Sequence, residues 1–227
     1  MESCLSVTTL KSLGNIILGE KGLYSLLRDS PSFSEMGGGD LIKVLFLASN
    51  PSDTVQLNLE RELREIREKL QMARQRDNFV LEARGAVRPG DVTQAFFDIE
   101  PHIVHFSGHG TIEGDLCFEG VDGKLKTVQP EALAALFEME AERVQCVILN
   151  ACYSRIQAEA IVQHIPYVIG MSGEIGDEAS IIFSVGFYKA LGANRTVEQA
   201  YKAGCVEIRL EGIPEHLAPV LQVKKKV

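Results

Sequence analysis

His102-Ile103-Val104-His105-Phe106-Ser107-Gly108-His109-Gly110 and, farther along, Cys146-Val147-Ile148-Leu149-Asn150-Ala151-Cys152 are the two stretches that decide how this chain folds. Each is a short run of bulky, largely apolar residues that gives way to small and polar ones. Runs of this kind, apolar at every position and not at alternate ones, read as strands buried on both faces, as in a parallel sheet. In open α/β sheets, sites form at the carboxyl ends of the strands. Here one strand end carries an imidazole, His109, and the other a thiol, Cys152, with 43 positions between them. One strand–hairpin–helix excursion fills that interval.

The rest of the chain repeats the alternation. Leu41 to Ala48 is another near-continuous apolar run, followed by a loop at Asn50-Pro51-Ser52-Asp53. Leu59, Leu63, Ile66, Leu70 and Ala73 then recur at helical steps, with Glu60, Arg64 and Arg67 between them, which predicts a long amphipathic helix. Residues 79–83 read as a strand, 91–98 as a helix ended by Pro101, and 116–118 with 125–128 as a hairpin around Val121-Asp122-Gly123. Helices are predicted at 130–138, 155–163, 177–191 and 196–209, with strands at 144–149 and 167–171. Pro130 suits a first helical turn, Asp177 a helix cap and Gly192 a helix end. Alternating strands and helices define an α/β fold with a mostly parallel sheet and helices on both faces.

Three segments follow from composition. Residues 1–40 read as a separate helical piece, carrying Leu10, Leu13, Ile17, Leu23, Leu26 and Leu27, then a linker through Ser30-Pro31-Ser32 and Gly37-Gly38-Gly39. Residues 41–213 form the main domain. Residues 214–227 read as a surface tail whose Lys224-Lys225-Lys226 is a solvated end.

Composition also excludes function classes. The 227 residues carry a net charge of -8, which argues against unaided binding to a nucleic-acid backbone. With no Trp and 7% aromatics, a base-stacking platform is not expected either. No secretory signal and no apolar run of membrane-spanning length is visible, so no membrane partner is expected. The five cysteines, Cys4, Cys117, Cys146, Cys152 and Cys205, are odd in number and form no C-x-x-C pair. They read as reduced thiols of a cytoplasmic protein, and not as a disulfide framework or a zinc site. Neither a metal nor an organic cofactor is called for.

The thiol and the imidazole together suit nucleophilic catalysis. A free thiol is mostly protonated at neutral pH, and a neighbouring imidazole can take its proton during attack. Glycines on either side of His109 let the backbone turn and approach a substrate. The amides of Gly110 and Cys152 are placed to donate to an oxyanion. A buried Cys at a strand end is, by itself, more often a small packing residue. Gly108-His109-Gly110 with Gly114 misses the dinucleotide-binding spacing, which requires glycine at Glu113.

The segments HIVHFSGHG (102–110) and VILNACYS (147–154) resemble the His and Cys motifs of the CHAT family, in the caspase–separase–gingipain superfamily of cysteine peptidases. VLFLASNPSD (44–53), AEAIVQHIPYVIGM (158–171) and GDEASIIFSVGFYKALGANRTVEQAY (176–201) extend the resemblance across about 41–213. It implies a caspase-like sheet, a Cys152 nucleophile, a His109 base and an oxyanion hole at Gly110 and Cys152. It further implies a protein substrate, cut after Arg or Lys if Asp177 or Asp53 supplies an acidic pocket, and a role in bacterial regulated proteolysis or defence. The helical repeat domains of many relatives are not seen in these 227 residues, so an activating protein partner, docking through residues 1–40, is expected. Gly176 lies only 24 positions after Cys152, so no cleavable two-chain linker is expected. A catalytically idle caspase-like scaffold and a thiol enzyme acting on non-peptide substrates remain the rival readings.

Overall fold

The computed structural model describes residues 41–225, so the helical segment expected over 1–40 lies outside the described residues. Among the described residues there are eight strands: β1 (Ile42–Ala48), β2 (Phe79–Arg84), β3 (Ile103–Ser107), β4 (Leu116–Glu119), β5 (Leu125–Val128), β6 (Cys146–Asn150), β7 (Tyr167–Met171) and β8 (Pro219–Val223). The helices are α1 (Leu59–Met72), α2 (Pro89–Ile99), α3 (Pro130–Met139), α4 (Arg155–Ile161), α5 (Asp177–Gly192) and α6 (Val197–Leu210). The main sheet runs β2-β1-β3-β6-β7-β8, and β4 pairs with β5 in a separate hairpin. The first five strands of the main sheet are parallel. This is the α/β, caspase-like arrangement that the sequence predicts.

Alternation along the central strands assigns side chains to two apolar layers. Val104, Phe106, Val147 and Leu149 face α2, α3, α4 and the hairpin, packing on Phe96, Phe137, Ile161 and Phe118. Ile103, Cys146 and Ile148 face α1, α5 and α6, packing on Ile66, Phe183, Phe187 and Ile208. Both sheet faces are therefore dry, which is why these strands read as unbroken apolar runs. The helices are bounded by local chemistry. At the start of α2 the Asp91 carboxylate accepts from the Arg88 amide and guanidinium, Pro89 occupies the first turn, and Glu100 in the left-handed region stops the helix before Pro101. Thr196 and Gln199 form a reciprocal capping box at the start of α6, the Thr196 hydroxyl accepting from the Gln199 amide and the Gln199 side chain from the Thr196 amide.

Two expectations need correction. Residues 214–227 are not merely a surface tail, because 219–223 form β8, antiparallel to β7 from Met171↔Pro219 to Tyr167↔Val223. The β7 edge carries unpaired backbone groups, and pairing them satisfies both chains. Lys224 continues the contact, its amide donating to the Pro166 carbonyl and its Nζ to the His164 carbonyl. Gly192 does not close α5 from outside, since it is still helical and Ala193 takes the capping position. A side chain at 192 would meet Ala73 Cβ at 2.4 Å, so the glycine serves the close approach of α5 to the end of α1.

On the α1 and α5 side of the sheet lies a fully buried carboxylate, Glu62. Its Oε1 accepts from Asn150 Nδ2 and from Ser184 Oγ, each at 2.7 Å, and its Oε2 accepts from Ser107 Oγ. His105 Nε2 stands 3.2 Å from Oε1, while its Nδ1 meets Tyr188 Oη at 3.2 Å. Burial acts to raise the Glu62 pKa. The contacts with His105, Ser107 and Ser184 act the other way and hold it below its ordinary value of 4.5. Burial of the phenol pushes Tyr188 well above the usual tyrosine range, which leaves it a neutral neighbour.

Two expected outcomes follow from this cluster. Glu62→Ala strands three polar groups in a sealed space and should cost about 3–5 kcal/mol in urea unfolding. Arg61→Ala, which removes only surface pairs with Glu65 and Glu178, should cost at most about 1 kcal/mol. Because folding lowers the Glu62 pKa, its contribution is present above the unfolded-chain value and lost as pH falls through the folded one. The urea midpoint of the wild type should therefore fall as pH drops below about 4.5, and the acid limb of Glu62→Gln should be shallower.

Candidate active site at the carboxyl edge of β3 and β6

β3 and β6 are adjacent and parallel, and their last residues, Ser107 and Asn150, are register partners. His109 and Cys152 each lie two residues beyond that pair, so both leave the sheet at the same edge and height. Together with Leu57, Ile175 and Asp177 they line one cleft, about 30 Å³ in volume, room for about one water molecule. The two turns are interlocked. The Gly108 amide donates to the Asn150 carbonyl at 3.2 Å, and a side chain at Gly110 would sit 2.0 Å from the Cys152 carbonyl oxygen. Only glycine admits that approach. Beyond the thiol, Tyr153 takes a left-handed backbone (φ 56°), and its amide donates to the Gly173 carbonyl at 3.0 Å. Ser154 Oγ donates to the Leu149 carbonyl and accepts from the Met171 amide, which pins the turn to the core strands.

His109 Nε2 lies 2.7 Å from the carbonyl oxygen of Val55. A carbonyl only accepts, so in the neutral ring Nε2 carries the proton and Nδ1 keeps the free lone pair. Val55 is a site residue that sequence reading misses, because the acceptor is a backbone atom and the side chain is exposed. The Cys152 thiol faces the loop after β7, 3.7 Å from the Ile175 carbonyl and 3.5 Å from the Ile175 amide. Among the described residues, no group accepts from the amide of Gly110 or from that of Cys152.

The two acidic candidates occupy different places. Asp177 lines the cleft. It does not cap its own helix as the sequence suggests, because Gly176 holds the capping position. Its carboxylate instead accepts from the Asn58 side chain at 2.6 Å and from the Asn58 amide at 3.3 Å, at the entrance to α1. Asp53 accepts from the Leu125 amide of β5 at 2.8 Å and is not among the residues lining the cleft. The remaining described thiols are poorly disposed to react. Burial, then the charge of Asp115, pushes Cys117 up to about 11, and burial pushes Cys146 higher still.

A mostly parallel sheet with a thiol and an imidazole at one strand edge defines the caspase-like α/β class. Solved structures agree: caspase-1 from Spodoptera frugiperda matches with a TM-score of 0.55, 12% identity, and coverage of 81% of this chain and 86% of that one. Gingipain R matches at 0.53 and 11%, covering 86% and 48%. A secreted C11 cysteine protease from Bacteroides thetaiotaomicron matches at 0.52 and 14%, covering 72% and 57%. At such identities the likeness concerns the fold. The chain itself belongs to the CHAT domain family, which matches residues 24–210. It is 25% identical over 185 residues to a "Probable protease" of Gillisia limnaea, covering 76% of this chain and 33% of that protein. It is 24% identical over 179 residues to a "Roc-COR-CHAT protease" of an unknown prokaryotic organism, covering 76% and 17%. The chain thus spans a third or less of the length of these relatives.

Half-exposed Cys152 and buried, proton-holding Cys117 and Cys146 should separate under alkylation. Brief iodoacetamide treatment of the folded protein at pH 8, mapped by peptide mass spectrometry, should label Cys152 while leaving Cys117 and Cys146 unmodified.

Proposed function

We propose that this protein is a cysteine endopeptidase in which Cys152 is the nucleophile and His109 the general base. The observation that supports the reading is that His109 and Cys152, each two residues beyond the Ser107–Asn150 register pair, line one cleft, and that among the described residues the Gly110 and Cys152 amides have no acceptor. In the proposed reaction His109 Nδ1 takes the Cys152 proton as sulfur attacks the scissile carbonyl carbon. The Val55 carbonyl, accepting from Nε2, orients the ring and stabilises the imidazolium that forms. The Gly110 and Cys152 amides donate to the oxyanion; loss of one such donor typically costs on the order of 100- to 1000-fold. The imidazolium then protonates the departing amine, leaving a thioester that water, deprotonated by the same imidazole, hydrolyses.

Asp177 is the favoured reader of a basic residue before the scissile bond, since it borders the cleft that holds the dyad. A carboxylate there gives an Arg side chain a bidentate, charge-assisted partner, and the Asn58 donors that now occupy it are exchangeable for a guanidinium. Asp53, committed to the Leu125 amide, is the weaker candidate for substrate contact. A protein substrate, a cytoplasmic setting, a role in bacterial regulated proteolysis or defence, and an activator acting through residues 1–40 complete the proposal. The activator is consistent with a cleft of about 30 Å³, too small for an Arg side chain until its loops move.

That small cleft also favours the second reading, an idle scaffold that binds protein partners. A peptidyl electrophile with Arg next to the warhead tests both. Labelling in the wild type, lost in Cys152→Ala and His109→Ala, and exceeding that by an Asp probe, is the expected result. Asp177→Asn should reduce the Arg preference by about 10- to 100-fold, the worth of a charged hydrogen bond. No labelling by either probe, with Cys152 intact, would favour the scaffold.

A further inference from the structure

Glu62 does not border the cleft, yet its carboxylate is bonded to both strand ends that do. Ser107 Oγ donates to one oxygen and Asn150 Nδ2 to the other, and these are the register partners from which the His109 and Cys152 turns depart. Ser184, the third donor, belongs to α5, which begins at Asp177. The carboxylate sits one turn into α1, and the segment just before α1 supplies both Val55 and Asn58. The ends of β3 and β6, the helix α5 and the segment that leads into α1 are thus tied to one buried anion or to the helix that carries it, while the loop bearing Ile175 joins them through the start of α5.

We propose that Glu62 is a positioning residue for the Cys152–His109 pair, fixing the relative height of the two turns through Ser107 and Asn150; this rests on the dyad reading above. A merely structural buried carboxylate would lower stability when altered and leave the folded molecules as reactive as before. A positioning carboxylate makes the folded molecules themselves less reactive. The distinction is measurable because displacement of about 1 Å between reacting groups costs on the order of 100-fold. His105, from β3, stands 3.2 Å from the carboxylate and in turn meets Tyr188, from α5, a phenol that its own burial keeps neutral. Neither enters the cleft, so their influence on the dyad also passes through Glu62 and the strand.

The test uses the rate of Cys152 carbamidomethylation by iodoacetamide as a function of pH, which requires no peptide substrate. It compares the full chain of the wild type, His109→Ala, Glu62→Gln and Ser107→Ala, each held well below its unfolding midpoint and verified as folded by circular dichroism. His109→Ala should remove the imidazole-assisted reaction near pH 7. Glu62→Gln preserves volume but exchanges one acceptor oxygen for a donor, and should slow the reaction at pH 7 by about tenfold, moving the profile toward that of His109→Ala. Ser107→Ala, which frees only the β3 end, should slow it by a few-fold. Profiles of Glu62→Gln and Ser107→Ala that superimpose on the wild type, while His109→Ala differs, would overturn the positioning role and leave the dyad standing. A His109→Ala profile identical to the wild type would remove the dyad and the positioning role together. If Glu62→Gln does not fold, the Ser107→Ala profile decides alone.

Discussion

A carboxylate taken out of water must find donors or a countercharge, since its desolvation costs several kcal/mol. Glu62 meets this demand with hydroxyls from β3 and α5, an amide from β6 and the nearby imidazole of His105. That requirement is directional in a way that apolar packing is not. The layer formed by Ile66, Phe183, Ile148 and their neighbours carries no such directional requirement. Three donors converging on two oxygens impose it. The helix preceding the second strand, the two central strand ends and the long helix after β7 are consequently held in one relative placement, at the edge where His109 and Cys152 emerge.

Much of this architecture is legible in the sequence. Both central strands are buried on two faces, so apart from His105 they are apolar up to their last residues, and their ends are marked by the change to Ser107-Gly108 and Asn150-Ala151. β8 is not legible for the opposite reason. At the margin of the sheet, Pro219-Val220-Leu221-Gln222-Val223 is only partly covered, and nothing in its composition reveals that β7 has an open edge to fill. Glu62 leaves a fainter mark: it lies three residues after Leu59 and four before Ile66, on the stripe that buries the helix. A carboxylate on that stripe is a signal, but its donors are contributed by residues 45 to 122 positions away and no local pattern names them.

Asp177 shows how two readings of one side chain made from sequence alone can part in the structure. As a helix cap it would have served its own amides. Instead, Gly176 takes the cap and the carboxylate turns to Asn58 at the head of another helix. The same displacement that removes it from local service brings it to the cleft wall. Asp53 made the other choice, and its bond to the β4–β5 hairpin fixes a loop at the hairpin's outer end.

Around the thiol and the imidazole, most of the polar atoms belong to the main chain: the carbonyls of Val55, Ile175 and Gly173 and the amides of Gly110, Cys152 and Ile175. Such groups are common to nearly every amino acid, so they are specified by the path of the chain and not by its letters. Residues 55 and 175 can exchange one side chain for another without altering the atoms they present. The inheritable information in this site is therefore concentrated in a few letters, the glycine at 110 among them, while the remainder is stored as curvature.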